Sequence, residues 1–350
     1  MTLSDAIGVS RSSEPAGVLP RDAWRLDNHP DLRPGEARLD VEMLRLPAGL
    51  LAYFRDTVAD EPGARRAALL ETVAERGKLQ APHAGSDGSV VGRVAASADH
   101  PSGVAPGRRA LAAATLGSVP LWLRHIAAWD GASPIVPATG HAIVLPTTPL
   151  AVVRDDLDTV VAVSAAETAP VVAALRRLAV AGGRVALLGG TGGAGAVAGV
   201  AAREGGARSV AVTVATLRDA RLIEHVGAAT PVVCDPSDAV EATRSLRVVL
   251  GGPADVAVAA AGAVAAAALT VRDGGTVVVA PSNDTVAEVA ASVRAVGRDI
   301  QLLLAGGHVA GEVALTLDLV AEYPRLRAVI AGHTGTGTDP TLDAARERRP

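Results

Sequence analysis

The sequence is 350 residues long, 49% hydrophobic and 20% charged, with a formal net charge of −4. These values are typical of a globular protein large enough for two domains, and the lack of a basic block argues against nucleic-acid binding. The longest apolar run, residues 256–269, is shorter than the roughly 20 residues that a transmembrane helix needs, so we expect no membrane association. A single cysteine, Cys234, and an N-terminus without an export signal predict a cytoplasmic protein.

The N-terminal part of the chain shows strand patterns around one helical segment. Alternating apolar and charged residues predict a strand over 36–46, and the apolar spacing within 51–77 predicts a helix. Further strands are predicted over 89–97, 108–117 and 141–153, separated by loops rich in proline and glycine. This order indicates a small, irregular β-domain.

From residue 155 onward, strands and helices alternate strictly. Six apolar segments are predicted as strands, with helices of about ten residues between them. These strands span residues 184–188, 209–215, 231–235, 255–262, 274–282 and 299–307. The alternation predicts a parallel sheet covered on both faces, which is the arrangement of a dinucleotide-binding Rossmann domain.

A glycine-rich turn follows the first of these strands, in the sequence RVALLGGTGGAG (184–195). Glycines let the backbone turn tightly and approach a pyrophosphate, whose charge is stabilised by the N–H groups at a helix N-terminus. The sequence therefore predicts a dinucleotide site at this turn. The candidate cofactor-binding residues are Gly189, Gly190, Gly192, Gly193 and Gly195, together with Gly262 and Ser282 at the ends of two later predicted strands.

The choice between NAD and NADP depends on the end of the second predicted strand. A carboxylate at that point accepts a hydrogen bond from the ribose of NAD and repels the 2′-phosphate of NADP. The sequence has no acidic residue there before Asp219, and Thr216 and Arg218 are candidates for binding a 2′-phosphate. Solvent-exposed residues at a helix N-terminus would give the same pattern, so both NAD and NADP stay open.

Motifs spread over most of the chain carry a family resemblance. They are EPAGVLPRDAWRLDN (14–28), ERGKLQAPHAGSDGSVVG (75–92), VALLGGTGGAG (185–195), ADVAVAAA (254–261) with DGGTVVVA (273–280), and LLLAGGHVAGEVALTL (302–317). In these motifs the chain resembles the L-erythro-3,5-diaminohexanoate dehydrogenase family of the medium-chain dehydrogenase/reductase superfamily. Departures lie mainly in the N-terminal half, where residues 10–12 are Ser-Arg-Ser in place of the family's usual His-Arg-Val.

The resemblance implies an α/β fold in which a six-stranded parallel Rossmann domain (155–307) is inserted in a chaperonin-10-like, β-rich catalytic domain (1–154 plus 308–350). It also implies a homodimer and the NAD(P)-dependent oxidative deamination of a 3-amino acid to a 3-keto acid and ammonium. The hydride would pass to nicotinamide. Two alternatives stay open: a zinc-independent, NADPH-dependent enone or quinone reductase, and a non-catalytic NAD(P)H-binding protein.

Oxidative deamination needs a proton acceptor and a group that binds the substrate carboxylate. Lys78 is the only lysine in the sequence and is the first candidate for either role, and Gln80 and Ser86 lie in the same predicted loop. Polar loop residues that face water would give the same pattern. His308 follows the sixth predicted strand and is a candidate proton relay or a simple turn histidine.

Three earlier polar residues are candidates for substrate binding. Asp27 and Asn28 would pair with a distal ammonium of the substrate or, alternatively, cap a turn, and Arg11 is a second candidate for the carboxylate. A zinc site is not expected. One cysteine cannot supply the ligands that zinc-dependent members of the superfamily use, and the eight histidines show no i, i+4 pair.

Overall fold

The computed structural model describes residues 3–58, 61–81, 87–178, 181–190, 192–280, 286–305, 309 and 311–334. The chain divides into two compact units, Met1–Thr159 and Val160–Pro350.

The first unit is built mainly from β-strands, as predicted. Its elements are α1 (Leu3–Ala6), β1 (Ser12–Glu14), β2 (Arg25–Leu26), β3 (Ala37–Arg45), α2 (Ala48–Thr57), α3 (Pro62–Arg76), β4 (Asp87–Ser97), β5 (Arg109–Thr115), β6 (Leu121–Ile126), β7 (Ile135–Val144) and β8 (Leu150–Val152). Six of the strands form an antiparallel sheet in the order β6-β7-β3-β4-β5-β8. Strands β1 and β2 form a separate antiparallel pair.

The core of this unit lies between the antiparallel sheet and the helices α2 and α3. Successive side chains of a strand point to opposite faces, so alternate residues of β3, namely Ala37, Leu39 and Val41, are buried together. Phe54 of α2 and Val73 of α3 belong to the same core. The helix predicted within 51–77 is two helices, the second of which begins at Pro62, a residue that favours the first position of a helix.

The second unit contains the predicted parallel sheet. Its elements are α4 (Thr159–Ala166), α5 (Ala169–Arg177), β9 (Arg184–Leu188), α6 (Gly192–Glu204), β10 (Ser209–Val214), α7 (Leu217–Val226), β11 (Thr230–Val233), α8 (Ala239–Leu250), β12 (Ala254–Ala259), α9 (Val264–Thr270), β13 (Val271–Val279), α10 (Val286–Val296), β14 (Gln301–Leu304), α11 (Glu312–Glu322) and α12 (Pro324–Thr334). The six strands lie in the order β11-β10-β9-β12-β13-β14 and every pair is parallel.

This strand order confirms the six-stranded Rossmann sheet. The chain proceeds from β9 outward through β10 to β11, then returns to β12 and proceeds outward on the other side. The order therefore reverses between β9 and β12, and in open α/β sheets ligands bind at the carboxyl ends of the strands where such a reversal occurs. In the described part of the chain no single helix has the length and apolar composition to cross a membrane, although α4 and α5, bent by 54° at their junction, meet that criterion as a pair.

The C-terminal helices differ from the prediction, which grouped residues 308–350 with the β-rich domain. The described part of this segment lies in the second unit, where α11 contacts α5 and α12 contacts α6 and α7. Leu326 and Val329 of α12 are fully buried. A helix with one apolar face can cover any free apolar surface, so its position along the chain does not reveal which domain it joins.

Candidate functional site

The backbone of the turn between β9 and α6 depends on glycine at four positions. Gly189 and Gly192 have φ angles of +77° and +47°, a region in which side chains cause a steric clash. A Cβ atom on Gly190 would lie 2.9 Å from the Cα of Gly195, and a Cβ on Gly195 would lie 2.9 Å from the carbonyl oxygen of Gly190. The strand and the helix therefore approach each other so closely that only glycine fits at both positions.

This geometry fits the pyrophosphate of a dinucleotide. Because no Cβ covers the turn, the phosphates can approach the backbone, and the unpaired N–H groups of the first turn of α6 favour negative charge. Gly193, in the same turn, lies on the side that faces Ile330 of α12, at 3.4 Å from its Cγ1 to a Cβ built on the glycine. Gly189, Gly190, Gly192, Gly193 and Gly195 together are called the glycine cradle.

The sequence reading missed Thr213, which holds this turn in place. Thr213 lies on β10 and is 1% exposed, and its Oγ1 accepts a hydrogen bond of 2.8 Å from the backbone N–H of Gly189. The bond joins the glycine turn to the neighbouring strand. The available signal was a polar residue within the otherwise apolar run VAVTV at the end of β10.

Gly262 follows β12, on the other side of the point where the strand order reverses. Its φ angle is +74°, and no atom lies within 4 Å of a Cβ built on it. The backbone before it continues the sheet, since the N–H of Ala260 donates to the carbonyl of Leu188 at 3.0 Å. Gly262 is therefore next to the cradle, whereas the predicted site residues Ser282, His308 and Ser86 lie outside the described residues.

Thr216 and Arg218 lie directly after β10, as predicted. Thr216 is the N-cap of α7: its Oγ1 accepts from the backbone N–H of Asp219 at 3.1 Å. The same hydroxyl donates to the Asp219 carboxylate at 2.7 Å. Arg218 is exposed in the first turn of α7. Thr216 is thus engaged by the helix that it begins.

In the first unit, Arg11 has a different role from the predicted binding of a substrate carboxylate. Its side chain is 1% exposed and forms a two-pronged ion pair with Glu36, itself 1% exposed. Its remaining N–H groups donate to the backbone carbonyls of Asp27, His29 and Asp31. A guanidinium has five N–H donors, so all five are used inside the protein and none is left for a ligand.

Asp27 and Asn28 also form hydrogen bonds within the first unit. This agrees with the alternative in which they cap a turn. The Asp27 carboxylate accepts from the backbone N–H of His29 at 3.0 Å and from Arg33 at 2.8 Å. The Asn28 side-chain amide donates to the backbone carbonyl of Leu121 at 2.7 Å, and the backbone carbonyl of Asn28 lies 2.8 Å from Nε2 of His141. Both side chains are engaged by neighbouring segments of the first unit.

Lys78 is fully buried, and its ammonium is held by the backbone of a preceding loop. Nζ donates to the carbonyls of Pro20 at 2.8 Å and Arg21 at 3.0 Å. Burial lowers the pKa of Lys78 from 10.5 to about 8, with a further lowering from the nearby charge of Arg76, while Asp22 opposes the shift. This environment fits an anchor for the loop, or a residue that loses its proton near pH 8, better than an exposed clamp for a carboxylate.

Gln80 lies two residues further on, and its side-chain oxygen has no partner among the described residues. Its Oε1 is buried and makes no hydrogen bond within the described part of the chain, while its backbone carbonyl accepts from Arg76 at 2.7 Å. The backbone links Gln80, Lys78 and Asn28 to one region, because Gly77 accepts from the N–H of Leu121 and Asn28 donates to the carbonyl of Leu121. Among the described residues, no group of three His, Cys, Asp or Glu side chains is placed to hold a metal ion.

Comparisons with known proteins agree with this division of the chain. The family model of the L-erythro-3,5-diaminohexanoate dehydrogenase N-terminal domain matches residues 10–154. The L-erythro-3,5-diaminohexanoate dehydrogenases of Fusobacterium nucleatum and Acetoanaerobium sticklandii are 26% and 24% identical to the chain, over 334 and 330 residues. These matches cover 92% and 91% of the chain and 96% of each relative. The chain is therefore similar to L-erythro-3,5-diaminohexanoate dehydrogenases over most of its length.

This similarity supports an oxidoreductase, and the Rossmann domain is the part that fits a nicotinamide cofactor. The fold is shared with more distant enzymes. The quinone oxidoreductase from Coxiella burnetii matches with a TM-score of 0.54 at 18% identity, over 93% of the chain and 92% of that protein. At this identity the likeness shows the fold alone.

The Thr213 hydroxyl can be tested by Thr213→Val, which keeps the shape of the side chain. The Gly189 N–H then loses its partner, so we expect the free energy of unfolding to fall by about 1–3 kcal/mol and the binding of NADH or NADPH to weaken. Chemical denaturation and fluorescence titration measure the two effects. Thr213→Ser keeps the hydroxyl and is the control. A valine variant with unchanged stability and affinity would contradict the assignment.

The buried ion pair can be tested by Arg11→Met. We expect a loss of about 3–5 kcal/mol in the free energy of unfolding, because the Glu36 carboxylate stays buried without its partner. The double variant Arg11→Met/Glu36→Leu removes both charges and is expected to recover part of the loss in the same denaturation experiment. A single variant that is as stable as the wild type but has a raised KM would support the substrate role instead.

The pKa of Lys78 can be measured directly, because the protein contains no other lysine. In protein labelled with ¹³C-lysine, the single side-chain signal should titrate near pH 8 in the native state and near its ordinary value in urea. Between these pH values the unfolded state binds more protons, so Lys78 makes the stability rise with pH. Lys78→Met, compared by denaturation from pH 7.5 to 10, should lack this rise. A native titration near 10.5 would rule out the buried environment.

Proposed function

We propose that the protein catalyses the NAD(P)-dependent oxidative deamination of a 3-amino acid, the reaction that the name of its two relatives implies. The observation that carries the proposal is the glycine cradle at the strand reversal of the second unit, joined in one chain to a first unit that matches the family's N-terminal domain. The substrate loses a hydride from the carbon that bears the 3-amino group and a proton from nitrogen. Water then converts the imine to a ketone and ammonium.

The residues of the second unit bind and position the cofactor. The cofactor, when bound, supplies the acceptor for the hydride. The cradle of Gly189, Gly190, Gly192, Gly193 and Gly195 would hold the pyrophosphate against the N-terminus of α6, and Thr213 keeps that turn in register with β10. Fixing the pyrophosphate fixes the distance along the sheet at which the nicotinamide can lie.

In the first unit the proposal assigns the substrate to the region of Lys78 and Gln80. The buried Gln80 oxygen, which makes no hydrogen bond to the part of the chain that the structure describes, is an acceptor that a substrate ammonium would satisfy. Lys78, with a pKa of about 8, can exist in part as a neutral amine near physiological pH, as a proton acceptor requires. Its bonds to Pro20 and Arg21 equally make it a positioning residue for that loop. Ser86 and His308 stay predictions from the sequence.

Three further properties complete the proposal. The enzyme works without zinc, because its only cysteine cannot supply the thiolate ligands of zinc-dependent relatives. It forms a homodimer and acts in the cytoplasm, as the resemblance and the single cysteine imply.

The proposal is tested with the purified chain, NAD⁺ or NADP⁺, and a panel of amino acids that includes 3,5-diaminohexanoate and 3-amino acids without the 5-amino group. We expect reduced cofactor and ammonium to appear in equal amounts with 3,5-diaminohexanoate or a near analogue. Gly195→Val should lower this activity at least 100-fold, because its side chain would meet the Gly190 carbonyl. The control is Gly199→Ala, in the same helix but away from the cradle.

Two outcomes would contradict the proposal. Oxidation of NADPH by enones or quinones, without ammonium from any amino acid, would show a reductase on the same scaffold. Tight cofactor binding without turnover of any compound would show a non-catalytic binding protein.

A further inference from the structure

Arg76, the last residue of α3, joins two separate segments of the first unit. Its Nε donates to the backbone carbonyl of Trp24 at 3.1 Å, and its Nη1 donates to the backbone carbonyl of Gln80 at 2.7 Å. Trp24 comes 52 residues before Arg76, and Gln80 comes four residues after it. The chain can turn back in this way because Gly77, directly after the helix, has a φ angle of +61°. One guanidinium therefore holds the loop before β2 against the segment that follows α3.

Lys78 holds the same loop at a second point. Its ammonium donates to the backbone carbonyls of Pro20 and Arg21, at the other end of the loop from Trp24. Residues 20–24, all of which the structure describes, belong to no helix or strand. Two cations that are two residues apart in the sequence therefore fix this loop near both of its ends.

From these contacts we infer that Arg76 is a positioning residue for substrate binding, which fixes Gln80 and the loop 20–24 relative to Lys78. The inference rests on the proposed function, which assigns the substrate to the region of Lys78 and Gln80. An acceptor binds a ligand in a defined geometry only when the backbone that carries it is held in place. Arg76 supplies this restraint through the Gln80 backbone carbonyl. The buried side-chain oxygen of Gln80, which has no hydrogen bond to the described part of the chain, then faces the ligand with a fixed backbone behind it.

The charge of Arg76 also acts on Lys78. An arginine side chain is permanently positive. It lowers the pKa of Lys78, as the second cause after burial, whereas the carboxylate of Asp22 acts in the opposite direction. A positive neighbour favours the neutral amine, which is the form that accepts a proton. Arg76 thus acts on both groups that the proposed function places at the substrate, on Gln80 by a hydrogen bond and on Lys78 by its charge.

The first experiment needs no substrate and uses Arg76→Gln in the full chain, in which Lys78 is still the only lysine. The backbone N–H groups of residues 22–24 are hydrogen-bonded, so their hydrogen exchange reports on the loop. We expect exchange in a peptide that covers residues 20–24 to become at least 10-fold faster, and the ¹³C signal of Lys78 to titrate above its native midpoint of about 8. Arg55→Gln, which removes an exposed arginine in the last turn of α2, is the control and should change neither.

Asp22→Asn separates the effect of charge from a general loosening of the loop. It removes the carboxylate that raises the pKa of Lys78, so the titration midpoint should fall below that of the wild type. Loosening would instead expose Lys78 and raise the midpoint in both variants. A rise in both would therefore contradict the role of the charge. A folded Arg76→Gln protein with wild-type exchange and wild-type titration would overturn the whole inference.

A double-mutant cycle, with an amino acid that yields ammonium, tests whether Arg76 acts through Gln80. Gln80→Leu and Arg76→Gln should each raise KM at least 10-fold with a smaller change in kcat, and the KM of the double variant should equal that of Gln80→Leu. Effects on KM that multiply independently would overturn the positioning role. A failure of the proposed function looks different. No ammonium from any amino acid would contradict the reaction, while faster exchange and a raised Lys78 titration in Arg76→Gln would still support the inference.

Discussion

The close approach of β9 and α6 is the constraint on which the cofactor site depends. A side chain on Gly190 or Gly195 would lie within 2.9 Å of the other residue's backbone, so the helix can reach the strand only because both lack one. This contact sets where the first N–H groups of α6 point, and the bond from Gly189 to Thr213 fixes the turn relative to β10. The backbone geometry of this turn therefore fits a pyrophosphate, whichever molecule is oxidised.

In the first unit, two cationic side chains are buried and form hydrogen bonds within the protein. Burying a charge is costly unless the group is paired and hydrogen-bonded. Arg11 meets this condition through Glu36 and three backbone carbonyls, and Lys78 meets it in part through Pro20 and Arg21. These two cations hold the segments around residues 20 and 27–36, which have little regular secondary structure of their own. Hydrogen bonds from these cations to backbone carbonyls hold the segments in place, as pairing between strands does elsewhere in the unit.

This difference explains which parts of the molecule the sequence could predict. Strand and helix periodicity is local, and the alternation of the two elements leaves few possible topologies, so the six-stranded parallel sheet and its glycine turn were predicted correctly. Strand β6, with the sequence LWLRHI, was not predicted, because its exposed Trp122, Arg124 and His125 obscure the alternation of an edge strand. The role of Arg11 depends on Glu36, which is 25 residues away, and no local pattern reports that partner.

Asp219, the first acidic residue after β10, shows that a capping pattern can reveal a contact that spacing along the chain does not indicate. A search confined to the residues directly after the strand finds none, because Asp219 comes five residues after Val214. However, Thr-x-x-Asp is a capping pattern, in which the third helical residue returns to the residue before the helix. The capping pattern therefore predicts that the Asp219 carboxylate turns back to Thr216, as the hydrogen bond between the two side chains shows. Distance along the chain alone does not indicate this contact.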